Sequence, residues 1–273
     1  MNVIKAACIQ MTSGPEIEAN LEHLEQTVRQ AAADGAQFVA TPENSDAIRF
    51  PPSPEHKALP ADEHPGIPRA SALAKELGIH LLIGSFRIGL ENGKKANRSH
   101  FFGPDGALIS TYDKIHLFDV HLPSGESHKE SDIYQGGDKA VVVDLPGAKL
   151  GLSICYDVRF AYLYRDLAKA GAQIFAVPSA FTVPTGRAHW ETLLRARAIE
   201  TGSFVVAPAQ VGDHEGGRRT YGHSMIISPW GEILAKAESD ASEIIHADIR
   251  LDHVRKARES IPALTHDREY ELD

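Results

Sequence analysis

The sequence predicts an α/β protein with a single domain, in which two mixed sheets pack together and helices cover their outer sides. Short apolar runs alternate with helical ones along the chain, which favours parallel strands joined by helices. Two turn segments, Gly103–Gly106 and Ser228–Gly231, instead join neighbouring apolar runs as hairpins, which requires antiparallel strands. A length of 273 residues without an internal repeat fits one large domain.

Each element follows from its hydrophobic period and from the residues that end it. Apolar runs of four to eight residues predict strands, and apolar residues recurring every three or four positions predict helices. Gly35, Gly78 and Gly202 mark three helix ends, since glycine is favoured just after a helix. The predicted strands are 3–10, 37–41, 80–86, 98–102, 107–112, 140–145, 149–154, 174–177, 204–207, 224–227, 232–235 and 243–249, and the predicted helices are 17–34, 67–77, 160–170, 187–201 and 251–258.

Composition and charge argue against several classes of binding partner. A net charge of −9 and a pI near 5.9 argue against nucleic-acid binding, which needs a basic face. No window approaches the roughly 20 apolar residues of a membrane span, and no export signal precedes strand 3–10, so we expect a cytoplasmic protein without a membrane partner. The histidines are scattered, and Asp213–Glu215 reads as a solvated turn, so we expect no metal and no cofactor.

Two cysteines, Cys8 and Cys155, provide no disulfide framework. Cys8 lies inside an apolar strand, which is typical of a structural core cysteine. Cys155 ends strand 149–154 and precedes a turn, so its sulfur is expected at the carboxyl edge of a sheet, where α/β active sites gather. Ser153 nearly completes a serine nucleophile elbow, but the glycine required at the last position is missing.

Two charged residues share this kind of position. Glu43 follows strand 37–41, and Lys114 follows strand 107–112. Acyl transfer through a cysteine requires a base to accept the thiol proton and a positive charge nearby. Glu43, Lys114 and Cys155 would supply these three functions together.

Three segments carry a resemblance to a known family: Thr41–Asn44, Tyr112–Phe118 and Ile154–Phe160. They resemble, in the same order, the three catalytic motifs of the nitrilase (carbon–nitrogen hydrolase) superfamily, and the similarity extends over nearly the whole chain. The resemblance implies an αββα sandwich that pairs with a second copy, as a homodimer or higher homo-oligomer. The predicted domain is 1–258, followed by a charged C-terminal tail, 259–273.

The resemblance also implies residue roles. Glu43 would be the general base, Cys155 the nucleophile and Lys114 the group that stabilises the oxyanion. The long polar stretch 115–138 is similar to the segment that holds an auxiliary glutamate in this superfamily, which indicates Glu130, with Glu126 as the alternative. The catalytic prediction is therefore Glu43, Lys114, Cys155 and Glu130.

Segments 178–200, 209–212 and 221–225 resemble the branch that contains deaminated-glutathione amidase and omega-amidase. We therefore expect a cysteine amidase that converts a small, linear, carboxylated amide into an acid and ammonia through a thioester. Tyr156 would add its backbone N–H to the oxyanion site. Arg159 and Arg187 are the candidates for the substrate carboxylate, because arginine binds carboxylates with paired hydrogen bonds. An omega-amidase acting on α-keto-acid amides and a non-catalytic scaffold on the same fold stay open as alternatives.

Overall fold

The computed structural model describes residues 3–50, 53, 56–121 and 127–273. Two six-stranded sheets and, within these ranges, five α-helices form the molecule. The helices are α1 (Ile17–Ala33), α2 (Gly66–Leu77), α3 (Ala161–Lys169), α4 (Val183–Thr201) and α5 (Leu251–Ser260). The strands are β1 (Val3–Gln10), β2 (Phe38–Ala40), β3 (His80–Gly89), β4 (Lys95–Phe102), β5 (Leu108–Asp113), β6 (Asp119–His121), β7 (Ser127–Lys129), β8 (Val141–Leu145), β9 (Ala148–Leu152), β10 (Ile174–Ala176), β11 (Phe204–Ala207), β12 (Val211–Asp213), β13 (Arg219–Tyr221), β14 (Met225–Ile227), β15 (Ile233–Lys236) and β16 (Glu243–Arg250).

Both large sheets are mixed, as the sequence predicts. The first has the strand order β16-β1-β2-β3-β4-β5, and β1, β2 and β3 are parallel. The second has the order β15-β14-β11-β10-β9-β8, and β9, β10 and β11 are parallel. Antiparallel pairs complete each edge, and two of them, β4–β5 and β14–β15, are hairpins around the two predicted turns.

The alternation of side chains along β1 defines the layers, because successive residues of a strand point to opposite faces. Ala6 and Cys8 pack in a core with buried residues of the second sheet, whereas Ala7 and Ile9 pack against α1 and α2. Helices α3 and α4 pack on the second sheet, through β9, β11 and β14. The order of layers is helix, sheet, sheet, helix, so the predicted αββα sandwich is confirmed. Among the described residues, no helix combines the length and the apolar character needed to cross a membrane.

Apart from shifts of one to three residues at the ends of other elements, three details differ from the sequence-based expectation. Helix α4 begins at Val183 rather than at 187, because Pro184 occupies the first turn, where its missing N–H costs nothing. Two short hairpins, β6–β7 and β12–β13, were not predicted, since their strands have three residues each and are mostly polar. The expected solvated turn at 213–215 is wrong for His214, which is buried and hydrogen-bonded to the Ser13 carbonyl and the Thr220 hydroxyl.

The segment after α5 lies against the rest of the molecule. A short 3₁₀ turn, Ala263–Thr265, contacts α3 and α4, and the Arg165 side chain donates a hydrogen bond of 3.0 Å to the Ala263 carbonyl. Asp267 forms ion pairs with Arg165 and Lys169 on α3. These pairs are exposed and therefore stabilise the packing only weakly.

Candidate active site

Three of the predicted catalytic side chains emerge just beyond strand ends on the facing sheets. Glu43 follows β2 and Lys114 follows β5 in the first sheet, while Cys155 follows β9 in the second. The carboxyl ends of β2 and β9, both members of parallel sets, supply the base and the thiol, as expected for an α/β protein. The sandwich of two sheets brings these ends together across the interface between them.

Lys114 is the centre of a buried charge cluster. Its ammonium lies 3.0 Å from Glu43 Oε1 and 2.9 Å from Glu130 Oε2. Asn97, from β4, donates a hydrogen bond of 2.8 Å to Glu43 Oε1 and one of 3.4 Å to Glu130 Oε1. The Phe118 N–H donates a hydrogen bond of 2.6 Å to Glu130 Oε2. Two carboxylates therefore hold one ammonium, and further donors fix the position of both.

Cys155 adopts a backbone conformation that side chains rarely accept. Its φ is +50°, in the left-handed region, and its N–H donates a hydrogen bond of 2.9 Å to the Pro178 carbonyl. The sulfur lies in the same cavity lining as the Glu43 carboxylate and Ala180, and both groups influence the pKa of the thiol. Left-handed non-glycine residues cost energy and occur at functional sites when the surroundings enforce them. The turn after β9 thus aims the sulfur at the charge cluster.

Asp157 ties the turn of Cys155 to the segment that carries Lys114. Its buried carboxylate accepts hydrogen bonds from the Ile154 N–H (2.8 Å), the Tyr112 hydroxyl (2.7 Å) and the His116 N–H (3.0 Å). The His116 ring, through Nδ1, lies 2.7 Å from the same carboxylate. A buried carboxylate satisfied in this way is expensive to disturb, so it rigidifies both segments.

The electrostatics of the cluster set its protonation. Burial opposes ionisation of Glu43, but the charge of Lys114 and the hydrogen bonds from Cys155 and Lys114 outweigh it, so the pKa of Glu43 is lowered. Burial, and then the negative charge of Glu43, raise the pKa of the Cys155 thiol well above its ordinary value. Burial would lower the pKa of Lys114, but Glu130 and Glu43 raise it well above its ordinary value. The resting combination is a carboxylate, an ammonium and a neutral thiol.

Glu43, Lys114, Glu130, Cys155 and Tyr156 line one cavity that is open to solvent. The other two predicted residues are placed differently. The Arg159 guanidinium lies 5.5 Å from the ring centroids of Tyr156 and Phe181, which line the cavity, so Arg159 is behind the cavity wall. Arg187 is exposed on α4 and does not line this cavity.

The cavity contains cations that the sequence analysis did not single out. Arg49, Arg87, Lys95 and Arg218 line it, and each comes from a different part of the chain. Their positions carry no local signal, because none of them follows a recognised motif. Asn97 was also missed, because the predicted strand began at residue 98, whereas β4 begins at Lys95 and includes Asn97.

The remaining candidates fall outside this arrangement. Ser153 is buried, and its hydroxyl is bonded to the Tyr164 hydroxyl and the Ala176 carbonyl, away from the cavity lining. Glu126, the alternative to Glu130, lies outside the described residues. Within the described ranges, no three His, Cys, Asp or Glu side chains converge in a way that could hold a metal ion.

Comparisons with known proteins agree with this geometry. The carbon–nitrogen hydrolase family matches residues 5–259. The chain is 40% identical over 271 residues to the deaminated glutathione amidase of Synechocystis sp., covering 96% of this chain and 97% of that protein. It is 38% identical over 264 residues to the omega-amidase NIT2 of Xenopus tropicalis, covering 96% and 94%. The crystal structure of the C. elegans NitFhit protein superposes with a TM-score of 0.90 at 35% identity, over 98% of this chain and 66% of that one.

The family match and the structural superposition both extend over nearly the whole chain, so a single family accounts for the described core. The resemblance seen in the three sequence motifs is thereby confirmed. This chain belongs to the carbon–nitrogen hydrolase family.

Proposed function

We propose that this protein is a cysteine amidase whose catalytic residues are Glu43, Lys114 and Cys155, with Glu130 as a fourth residue that positions Lys114. The observation that carries the proposal is a single set of contacts. A neutral thiol lines the same cavity as a buried carboxylate that raises its pKa, and that carboxylate shares a buried ammonium with a second one. A scaffold protein gains nothing from such a cluster, since apolar residues of similar volume are usually as stable.

The first half of the reaction forms a thioester. Glu43 accepts the Cys155 proton as the sulfur attacks the amide carbonyl carbon, so the thiol needs no lowered pKa in the resting enzyme. Negative charge then develops on the carbonyl oxygen. The Lys114 ammonium and the Tyr156 backbone N–H stabilise that charge, and a donor of this kind is worth about 10²–10³ in turnover. Glu43 returns the proton to the departing nitrogen.

The second half releases the acid. Glu43, again a carboxylate, accepts a proton from water as the water oxygen attacks the thioester carbon. The bond between carbon and sulfur breaks, and the proton returns to Cys155. Glu130 holds Lys114 through both halves, because its two oxygens lie 3.1 and 2.9 Å from the ammonium.

The relatives suggest two substrates, which release different products. Glutathione is a tripeptide, so cleavage of an amide bond between its residues releases an amine, whereas an unsubstituted amide releases ammonia. The expectation of ammonia therefore applies to the omega-amidase alternative only. We favour a deaminated-glutathione-like substrate, with an α-keto-acid amide as the second candidate. The identity to the deaminated glutathione amidase of Synechocystis sp. is slightly higher than that to the omega-amidase of Xenopus tropicalis, at 40% against 38%.

The decisive experiment follows amine and ammonia release separately, with deaminated glutathione and α-ketoglutaramate as substrates. We expect amine release from the first to dominate, and Cys155→Ala to abolish both. Amide hydrolysis that persists in Cys155→Ala would refute the proposal. Lys114→Ala is a poorer test than Cys155→Ala, because it leaves two buried carboxylates without a counter-charge, at a cost of about 3–5 kcal/mol.

We also propose that the protein forms at least a dimer through the outer side of α3. Tyr162 on α3 is exposed, whereas Tyr164 is buried in the core, so only the first is available to a partner. Ile199 and Trp230 are further large apolar side chains exposed to solvent. Light scattering at micromolar concentration tests the assembly, and a monomer contradicts it. The cytoplasmic location expected from the sequence stays a prediction.

A further inference from the structure

The cavity contains more positive charge than the catalytic cluster requires. Lys114 is neutralised by Glu43 and Glu130, and Arg87 is paired with Asp46 at 3.0 Å. Lys129, near the surface, pairs with Asp132 at 2.8 Å. Three other cations line the same cavity, and no carboxylate among the described residues pairs with them: Arg49, Lys95 and Arg218.

Lys95 is the most deeply buried of these three cations. Only 6% of its surface is exposed, and its ammonium donates a hydrogen bond of 3.2 Å to the Ser53 carbonyl. The Tyr134 ring centroid lies 6.0 Å from the nitrogen. An ammonium has three donors, and burying a charge without an opposite charge is costly. A negatively charged group on a ligand would offset the cost of burying the Lys95 ammonium.

The other two cations have spare donors as well. Arg49 donates to the Pro15 carbonyl through Nε, and Arg218 donates to the Ala180 carbonyl through Nη2. The Nε atom of Arg218 is buried without a hydrogen-bond partner in the part of the chain described. Ala180 is the residue whose N–H reaches the Cys155 sulfur, so Arg218 is anchored beside the reacting group.

The strand geometry relates Lys95 to the catalytic centre. Lys95 and Asn97 are two residues apart on β4, so their side chains leave the same face, about 6–7 Å apart along the strand. Asn97 donates to both Glu43 and Glu130. The backbone of Lys95 is fixed by hydrogen bonds with Ile133 and Gln135, in the segment that follows Glu130. A substrate with a short carbon chain is therefore expected to reach from the Cys155 thiol to the Lys95 ammonium.

We propose that Lys95, assisted by Arg49 and Arg218, is the specificity-determining site for the substrate's distal carboxylate, in place of Arg159 and Arg187. The inference rests on the proposed amidase function and names the group that selects its substrates. Burial and the neighbouring charges of Arg87 and Arg49 lower the pKa of Lys95 to about 8. A lowered pKa is expected for a lysine whose negatively charged partner is a substrate that is not yet bound.

The test measures binding without turnover, on the Cys155→Ala protein. The probes are glutaramate, a five-carbon acid amide, and pentanamide, which has the same chain without the carboxylate. We expect calorimetry to detect a preference for glutaramate that Lys95→Met reduces about ten- to a hundred-fold, since a charge-assisted hydrogen bond is lost. Affinity for pentanamide is expected to stay within about twofold. Lys139→Met, at an exposed lysine, is the matched control and should change neither affinity.

Two further readouts separate recognition from structure. Lys95→Arg keeps the charge and should retain most of the preference. Lys95→Met should melt at or above the temperature of the parent protein, because it removes a buried charge that Arg49 and Arg87 repel. Equal binding of the two probes, an unchanged preference in Lys95→Met, or failure of that variant to fold would each overturn the assignment. None of these outcomes depends on hydrolysis, which the turnover assay of Cys155→Ala examines separately.

Discussion

Cys8 and Cys155 are both buried, and burial raises the pKa of both thiols, yet their surroundings differ in kind. Cys8 lies in the middle of a regular strand, in the apolar core between the sheets, and its sulfur faces the Met225 carbonyl at 3.7 Å. Cys155 stands on a strained turn at an open cavity that Glu43 and Lys114 also line, and both charges influence its pKa. Burial therefore says little about the reactivity of a thiol. In the proposed mechanism, the carboxylate that lines the same cavity makes the difference.

The largest effect is expected when each of the two cysteines is replaced by alanine in turn. Cys155→Ala should abolish amide hydrolysis with little change in melting temperature. Cys8→Ala should leave turnover within about twofold and lower the free energy of unfolding by about 1 kcal/mol, as is typical of a buried truncation. Turnover assays and denaturant titrations of both variants measure this contrast. A Cys8→Ala protein with full stability but lost activity would reverse the comparison.

The second prediction removes the base. Glu43→Gln should lower turnover about 10²–10⁴-fold, since the thiol proton then has no acceptor. The pKa of Cys155 should move down in this variant, because the negative charge of Glu43 helps to raise it, while Lys114, which lowers it, remains. The thiolate, which forms as pH rises through that pKa, should therefore appear at lower pH than in the parent protein. The pH dependence of iodoacetamide labelling at Cys155 measures this shift, and a shift upward contradicts the arrangement.

The third prediction concerns the second carboxylate. Glu130→Gln keeps an oxygen for Lys114 and Phe118 but loses the charge that most raises the pKa of Lys114. We expect turnover to fall about ten- to a hundred-fold, less than for loss of an oxyanion donor itself. Glu126→Gln is the control. If Glu126→Gln is damaging and Glu130→Gln is silent, the fourth residue has been assigned to the wrong glutamate.

The fourth prediction compares the thiol end of the cavity with its cationic end. The groups around Lys95 are Arg87 and Arg49, which lower its pKa, Asp46, which opposes them, the Tyr134 ring and the Ser53 carbonyl. A lysine is charged below its pKa, so glutaramate affinity should be constant below about pH 7 and fall above the pKa of about 8, by up to about tenfold per pH unit. Pentanamide affinity should not follow this curve. Lys95→Arg should remove the fall, because arginine stays charged, and an unchanged fall contradicts the role of Lys95.

The regular elements were largely predictable from the sequence because each contains its own signal. Strand Phe204–Ala207 and the start of α5 at Leu251 agree to the residue with the predicted bounds. The start of α4 was missed because Thr185 and Gly186 are poor helix formers. In the fold, Gly186 is required for a different reason: a Cβ there would lie 2.2 Å from the Tyr221 ring. Tertiary packing, which the local sequence does not encode, overrides propensity at this point.

The residues of the candidate site also fall into those that could be predicted from the sequence and those that could not. Glu43, Lys114 and Cys155 could be predicted because each directly follows a recognisable strand, and strand ends converge. The cations proposed to bind the substrate carboxylate could not be predicted, because proximity to a motif in sequence is not proximity in space. Arg187 is close in sequence to conspicuous residues, yet it lies on the solvent side of α4. Lys95 stands at the start of a strand and reaches the cavity only because β4 pairs beside β3.

The pairing of β1 with β16 has a consequence for how the chain folds during synthesis. β1 is made before every other described strand, and its neighbour on one side, β16, is made after them all, with Gln10 opposite Glu243. Until β16 emerges, one edge of β1 presents unpaired backbone groups, which promote association with other chains. The first sheet is therefore completed only after the second sheet has been synthesised, and contacts of such long separation form slowly. Truncation before residue 243 should yield aggregated protein even though every predicted catalytic residue is present.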